Sequence, residues 1–460
     1  MTEQAKRYSL FFGPLVALLV GGVLHLQGWH QSACFAAGIT TLCAIWWVFE
    51  PIPIAATSLL PLGGFPLLGV LDGQQIASAY GSPIILLLVG GAMMSKAMEK
   101  SGAHRRIALW MIHGFGTSSL RRLVFGFMAA SAFLSMWISN TATTLMLVPV
   151  AMAVLESSNN RRLAVALLLG IAYAASIGGL ATPIGTPPNL IFMSVYQEVT
   201  GSEITFIEWM GIGLPVVLLL LPVAALWLTR GLGISGEVEI QGGGNIRVAE
   251  QRVLMVFACV IVAWMTMKNP GGGWTGWLAL PYANYASVAF MAVLILFVCP
   301  DGEGGKLLDW PSASSIHWGV MILFAGGIAI AKAFMATGLS EALGQQLSAI
   351  ADWPLYLVIL ALCLGVTFLT EITSNTATTT LLMPILAAAA ATTSWDPALL
   401  MIPAALSASC AFMLPVATAP NAIVIASGKL SVADMMREGV VLNFLGAVVI
   451  SMAVYVLLAP

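Results

Sequence analysis

Charge is what this chain has least of. Only 8% of its 460 residues are Asp, Glu, Lys or Arg. A water-soluble domain carries about a quarter, so an ordinary solvated surface is excluded. The 18 basic and 20 acidic residues nearly cancel, to a net charge of −2, and offer no basic face to a nucleic acid. The five histidines (His25, His30, His104, His113, His317) form no metal-ligand spacing, and the six cysteines form no CxxC. Each cysteine lies in or beside an apolar run and reads as a small hydrophobe. HExxH and the Walker phosphate loop are missing. A membrane-embedded enzyme would need a nucleophile–base pair or a metal cluster among its helices. No histidine lies close in sequence to the polar motifs described below, so the expectation is not an enzyme. Met1–Arg7 is too polar, and the first apolar run too uninterrupted, for an obvious cleaved signal.

Apolar residues, by contrast, make up 59% of the chain, and the mean hydropathy is +0.94. Lipid must therefore cover much of the molecule. In hydrocarbon every backbone N–H and C=O needs an internal partner, so spans are helices or closed barrels. The long continuous runs, such as 10–26 and 212–228, lack the alternation of barrel strands. The fold class is an all-α polytopic membrane protein. Spans are expected at 9–26, 33–49, 52–70, 80–100, 163–195, 209–230, 252–268, 282–299, 316–336, 398–427 and 438–459, about 11 transmembrane helices. Two further stretches, 122–155 and 353–390, are too long for one span, and each has a polar break in its middle.

Cytoplasmic loops collect Lys and Arg. With the N-terminus cytoplasmic, Lys100, Arg105, Arg106, Arg121, Arg122, Arg161, Arg162, Arg230, Arg247, Arg252, Lys306, Lys429 and Arg437 fall inside. Lys268 alone falls in a clear outer loop, and the C-terminus lies outside. Arg121–Arg122 and Arg161–Arg162 place both ends of the first broken stretch inside, so it enters and returns as a re-entrant hairpin. The second stretch does so from outside. Residues 107–116 and 338–351 are short and amphipathic, as expected of helices lying along the membrane surface.

The sequence also repeats itself. Gly90-Gly91 and Lys96 recur as Gly326-Gly327 and Lys332; Ser139-Asn140-Thr141-Ala142-Thr143-Thr144 recurs as Ser374-Asn375-Thr376-Ala377-Thr378-Thr379. Gly185-Thr186-Pro187-Pro188-Asn189 recurs as Ala417-Thr418-Ala419-Pro420-Asn421. The chain crosses an odd number of times between equivalents, which makes an inverted repeat, the mark of secondary transporters with interrupted helices. The repeats run 33–230 and 252–460, after an N-terminal span in 1–32, and 231–251 (Glu237, Glu239, Arg247) reads as a cytoplasmic linker.

Proline breaks helices, and non-helical backbone at membrane depth survives only in protein or beside a cavity. Broken ends offer carbonyls and hydroxyls to a hard cation such as Na⁺, and helix N-termini to a carboxylate. The plain alternative is that Ser, Thr and Asn cap short helices; the two roles are compatible. The expected core holds almost no Lys or Arg, so an anion there needs cations beside it. Glu371 is an intramembrane carboxylate whose repeat partner is Met136. It could take part in coupling or pair structurally. Lys96 and Lys332 read as lysines snorkelling from helix ends.

With these residues in hand, the chain resembles the divalent anion/sodium symporter family, which includes sodium-dependent dicarboxylate transporters. The match covers nearly everything after the first span. Trp46-Trp47, Glu50-Pro51-Ile52-Pro53 and Thr57 resemble the family's early block. Residues 409–412, Pro415, Ala417, Asn421 and Val424 resemble its C-terminal signature. The resemblance implies Na⁺-coupled import of a C4-dicarboxylate (succinate, malate, fumarate) by an elevator motion in a bilayer-embedded homodimer. Scaffold parts would be 33–121 and 252–352, and transport parts 122–230 and 353–460. It implies one Na⁺ near Ser135, Ser139, Asn140 and Gly185, and another near Thr370, Thr373, Asn375 and Ala417. Substrate carboxylates would meet Asn140, Thr141, Thr186 and Pro187 from one half, and Asn375, Thr376, Thr418 and Pro420 from the other. A Na⁺-independent dicarboxylate exchanger, or a Na⁺-coupled carrier of citrate or sulfate, remains an open alternative.

Overall fold

The computed structural model describes residues 3–116, 119–156, 160–233, 244–347, 353–391, 393 and 395–459. Among these the architecture is helical, with a single isolated β-bridge between Pro300 and Lys306. Eight helices are long and apolar enough to cross a membrane. They answer to eight of the expected spans. The other three are shorter. The stretch 52–70 forms Ile54–Thr57 and Leu59–Leu67, 282–299 forms Tyr285–Val298, and 398–427 is broken into Ala398–Ala408 and Ala419–Ala426. Prolines account for much of this: Pro51, Pro53, Pro61 and Pro66 crowd the first, and Pro415 lies within the last break with Pro420 just after it.

The internal repeat is carried into the backbone. Helix Leu120–Ser135 ends, and Asn140–Glu156 begins, on either side of four non-helical residues. Leu355–Thr370 and Asn375–Ala391 do the same. Each second arm even holds a proline at the same place, Pro149 and Pro384. The two broken spans are Arg161–Gly178 with Pro187–Thr200, and Ala398–Ala408 with Ala419–Ala426. Gly179–Ala181 adds a 3₁₀ turn to the first break, whereas 410–414 of the second contains no helical turn.

These pieces interlock. Pro187–Thr200 packs on Asn375–Ala391 and Ala398–Ala408, while Ala419–Ala426 packs on Asn140–Glu156 and Arg161–Gly178. Every residue from Leu163 to Gly178 is buried. Lipid tails are as apolar as leucine, so close packing of small residues, rather than escape from water, holds such helices together. Gly213 and Gly439 occupy matching places. A Cβ on Gly213 would overlap the Leu180 carbonyl oxygen, and one on Gly439 would overlap that of Phe412. A second group of helices surrounds this body. Trp318–Thr337 packs on Gln31–Phe49, Leu59–Leu67 and Gly73–Tyr80, and Pro83–Ser101 packs on Val248–Met265 and Tyr285–Val298.

Polar ties collect at two ends. At one, Lys100 meets Asp309 at 2.6 Å, Arg106 meets Glu250 at 2.5 Å, and Arg161 meets Asp434 at 3.1 Å. There too, Arg162 and Arg230 both hold the buried Glu438, at 2.6 and 2.7 Å. At the far end of Phe206–Thr229 from Arg230, Lys268 meets Glu203, and Lys332 meets Glu198 at 3.0 Å. Lys332 is therefore not a free snorkelling cation, and neither is Lys96, which meets Glu99 at 2.8 Å. The amphipathic helix Ala103–Phe115 packs against Leu120–Ser135, with Arg106 buried, so it is a strut rather than only a surface helix. Its expected counterpart forms Leu339–Leu347; residues 348–351 lie outside the described residues, as do Glu237 and Glu239 of the linker.

Candidate functional site

The polar breaks meet around one cavity of about 350 Å³. Thr186 and Thr418 are N-caps, with Pro187 in the first turn of one helix and Pro420 in that of the other. Pro is well placed there because a first-turn N–H has no helical partner anyway. Asn140 and Asn375 open the second arms of the hairpins. The Ser139 hydroxyl accepts the Ala142 N–H at 3.2 Å, and that of Thr418 accepts the Asn421 N–H at 3.2 Å. Four helices of eight or more residues thus begin at the wall of one cavity. Each N-terminus carries roughly half a positive charge. Such an arrangement suits an anion without a lysine or arginine.

All eight residues expected to touch substrate line this cavity: Asn140, Thr141, Thr186, Pro187, Asn375, Thr376, Thr418 and Pro420. Of those expected to hold Na⁺, Ser139, Asn140, Gly185, Asn375 and Ala417 also line it. Ser135, Thr370 and Thr373 are buried. The Ser135 hydroxyl donates to Asn140 Oδ1 at 2.5 Å, and the Thr370 hydroxyl donates to Asn375 Oδ1 at 2.7 Å. The two bonds join repeat-equivalent residues. Thr370 also reaches the Ala408 carbonyl at 3.0 Å, and the Thr373 and Thr378 hydroxyls lie 2.6 Å apart. A Cβ on Gly179 would lie 3.1 Å from both Asn140 Oδ1 and the Gly185 carbonyl oxygen, so these oxygens crowd one spot. A side chain at Gly185 would strike the Gly179 carbonyl at 2.5 Å. The donor sets are hydroxyl, amide and carbonyl oxygens, which suit a hard cation. Among the described residues no three His, Cys, Asp or Glu side chains cluster as metal ligands do.

Beneath the cavity the two asparagines that follow the prolines act as clamps. Asn189 Nδ2 donates to the carbonyls of Gly179 and Thr182, at 2.9 and 2.8 Å. Asn421 Nδ2 donates to those of Ala411 and Leu414, both at 3.0 Å. A broken helix leaves such carbonyls short of partners; those of Thr182 and Leu414 each keep one turn bond besides, from the Gly185 and Ala417 N–H groups. The repeated Pro-Asn pair was visible in the sequence, but this task was not.

The three ionisable residues of the cavity wall, Lys96, Glu99 and His317, were not among the expected site residues. His317 stands far from both Ser-Asn-Thr motifs in sequence, and only the fold brings it beside them. Lys96 and Glu99 are three apart on a helix, a spacing that could have signalled their pairing. The core thus does hold a lysine, though a paired one. Through Lys96, Glu99 and Ile316–His317 the cavity extends toward the end that carries Lys100, Lys306 and Asp309.

Comparison with known proteins now adds to this geometry. The sequence profile described as "Citrate transporter" matches residues 44–401. A sodium-dependent dicarboxylate transporter, SdcS, of Staphylococcus saprophyticus is 39% identical over 98% of this chain and 91% of that protein. Its counterpart in Staphylococcus aureus is 37% identical over 97% of this chain and 90% of its own length. Among solved structures, the Alcanivorax borkumensis YdaH transporter superposes with a TM-score of 0.59. It covers 91% of this chain and 98% of its own at 13% identity, a likeness of fold alone.

Proposed function

The chain belongs to the citrate transporter family, and on that premise we propose that it is a secondary transporter importing a C4-dicarboxylate of the succinate, malate and fumarate class together with Na⁺. One observation carries the reading: four helix N-termini and two Ser-Asn-Thr tips meet at one cavity whose lysine, Lys96, is already paired with Glu99. A dianion there would be met by dipoles, hydroxyls and amides, which leave its two charges poorly compensated at membrane depth. Cations bound beside it supply the remainder, and that requirement couples the two fluxes.

In this reading Asn140, Thr141, Thr186 and Pro187 hold one carboxylate, and Asn375, Thr376, Thr418 and Pro420 the other. Ser135, Ser139, Asn140 and Gly185 hold one Na⁺; Thr370, Thr373, Asn375 and Ala417 hold a second. The basic end is cytoplasmic, so the N-terminus lies inside, the C-terminus outside, and the cavity faces inward. About 11 crossings and two re-entrant hairpins build an inverted repeat. Its scaffold parts are 33–121 and 252–352, and its moving parts 122–230 and 353–460. The interlocking of the two broken spans supports motion as one body, an elevator within a homodimer in the inner membrane.

Two substitutions test the site. N140A and N375A each remove an amide from one half, and each should cut succinate uptake by at least tenfold, about 1.4 kcal/mol of binding or more, in protein that still purifies as a single species. Uptake at the wild-type rate in either variant would remove the assignment. A second reading, citrate as cargo, is favoured by the description of the family. Competition separates them: excess unlabelled malate and fumarate should suppress succinate uptake more than citrate or sulfate does.

A further inference from the structure

Glu371 is a buried carboxylate that this transport scheme leaves without a task. It lies in the turn at the tip of the second hairpin, one residue after Thr370. Its side chain reaches across to the second broken span. Oε1 accepts the N–H groups of Phe412 and Met413 at 2.7 and 2.8 Å, and Oε2 accepts that of Leu414 at 2.9 Å. Asn443 Nδ2, from the last helix, donates to Oε1 at 2.8 Å. Three successive amides of an unwound segment converge on one carboxylate, the arrangement of an anion-binding nest. Here the anion is part of the chain.

The contacts continue to the cavity wall. The Leu414 carbonyl accepts both the Ala417 N–H, at 3.2 Å, and Asn421 Nδ2, at 3.0 Å. Ala417 and Thr418 line the cavity. The course of 412–414 therefore fixes the turn on which both stand. On its other side Glu371 adjoins Thr370, whose hydroxyl bonds Asn375 and Ala408.

The first half is tied differently. Met136 stands in place of Glu371, and its carbonyl accepts the Thr182 hydroxyl at 2.5 Å. Gly179–Ala181 coil into a 3₁₀ turn, and the Leu180 carbonyl is taken by Trp209 Nε1 at 3.0 Å. The two halves hold the same kind of break with unequal means, one with a carboxylate and one without.

We infer that Glu371 is a positioning residue for cation binding in the second half. It holds the unwound segment to the hairpin tip so that Ala417 and Thr370–Asn375 present one site, and it places a carboxylate at the hairpin tip of that half alone. The inference rests on the Na⁺-coupled reading above. Glu371 acts first on the cation step, and a Na⁺ midpoint separates it from a merely structural role.

The test uses purified full-length protein and Na⁺ itself as the probe. Melting temperature is followed as NaCl replaces choline chloride at constant ionic strength, without substrate. Wild-type protein should be stabilised by Na⁺, because an ion that binds only the folded state raises its stability. E371Q keeps the shape but turns an amide toward backbone donors, and E371D draws the carboxylate back. Each should need about tenfold more Na⁺ for half of the stabilisation, the equivalent of one lost charge-assisted contact. Succinate KM measured at saturating Na⁺ should change by less than the Na⁺ midpoint does. N443A, which leaves the carboxylate in place but unoriented, should shift the Na⁺ midpoint in the same direction by less, and serves if the Glu371 variants do not fold. An unchanged Na⁺ midpoint in the folded variants would overturn the inference. So would a loss of stability that added Na⁺ does not recover. If the wild-type protein shows no Na⁺ response, the symport reading fails and takes this inference with it.

Discussion

Asn189 and Asn421 each place two amide hydrogens on backbone carbonyls across a broken helix, and both are fully buried. Replacing either with Ala strands one carbonyl, Gly179 or Ala411, and takes one of two donors from the other, Thr182 or Leu414, at a cost of about 1–3 kcal/mol. N189A and N421A should therefore lower the melting temperature of the purified protein. N189D, which has the same shape without the donors, should do no better than N189A; wild-type stability in N189D would defeat the clamp. Asp309 offers a prediction in pH. The Lys100 ammonium beside it holds its carboxyl down at about 2. A depressed carboxylate contributes stability in full above the unfolded value of about 4, and loses it as pH falls through its folded value. The melting difference between wild type and D309N should thus be flat from pH 5 to 8 and fade only below about 4. A difference that changes between pH 5 and 8 would contradict this. At this scale the sequence was legible where residues repeat. The Ser-Asn-Thr and Pro-Asn pairs could be found because each occurs twice. Glu198 could not be matched to Lys332, nor Glu371 to residues 412–414, because nothing local marks a partner so far along the chain.

Between elements, the Lys332–Glu198 pair joins Trp318–Thr337 to Pro187–Thr200 at the end opposite Lys100 and Asp309. Close by, Ser194 and Glu198 line a smaller pocket with Ser78 and Ser82. If one helix group slides against the other, this pair must part when that side opens. E198Q should then expose the seam. A cysteine placed at Ser194 should react faster with an impermeant thiol reagent added outside, and the swap of E198K with K332E should slow it again. Equal rates in all three backgrounds would mean that the pair does not latch the seam. Gly213 and Gly439 make a related point, since each lets a long helix rest on a break. G213A and G439A force a Cβ against backbone oxygen and should destabilise by about 1–3 kcal/mol each, read by thermal melting; no change in either would show that the breaks can shift. Hydropathy located the long helices, with starts off by as much as six residues at Glu3 and Val432, and it gave 163–195 as one span across the break after Gly178. It overextended 52–70 and 282–299, because an apolar run measures burial from water and not helix length. Prolines such as Pro61 and Pro66 end or bend what hydropathy would continue.

For the whole molecule, the repeat decided more than any single motif did. The Lys and Arg count led to two hairpins and the prolines to two broken spans; offsets near 235 residues between three blocks paired them, and these are the elements that meet at the cavity. What could not be read was how the halves interlock, with Pro187–Thr200 against Asn375–Ala391 and Ala419–Ala426 against Asn140–Glu156. That arrangement depends on packing among small residues, which leaves no periodic signal of its own. It also explains why a cavity wall built from residues about 280 apart, Asn140 to Pro420, can bear on one small anion. The central claim is that two cation sites and one dianion site share this cavity. It is tested most directly by radiolabelled succinate uptake into proteoliposomes, first with an inward Na⁺ gradient and then with K⁺ replacing Na⁺. The account predicts concentrative uptake with Na⁺ and none with K⁺. Uptake that proceeds without Na⁺, and only when the lumen holds a dicarboxylate, would contradict it and make the protein an exchanger.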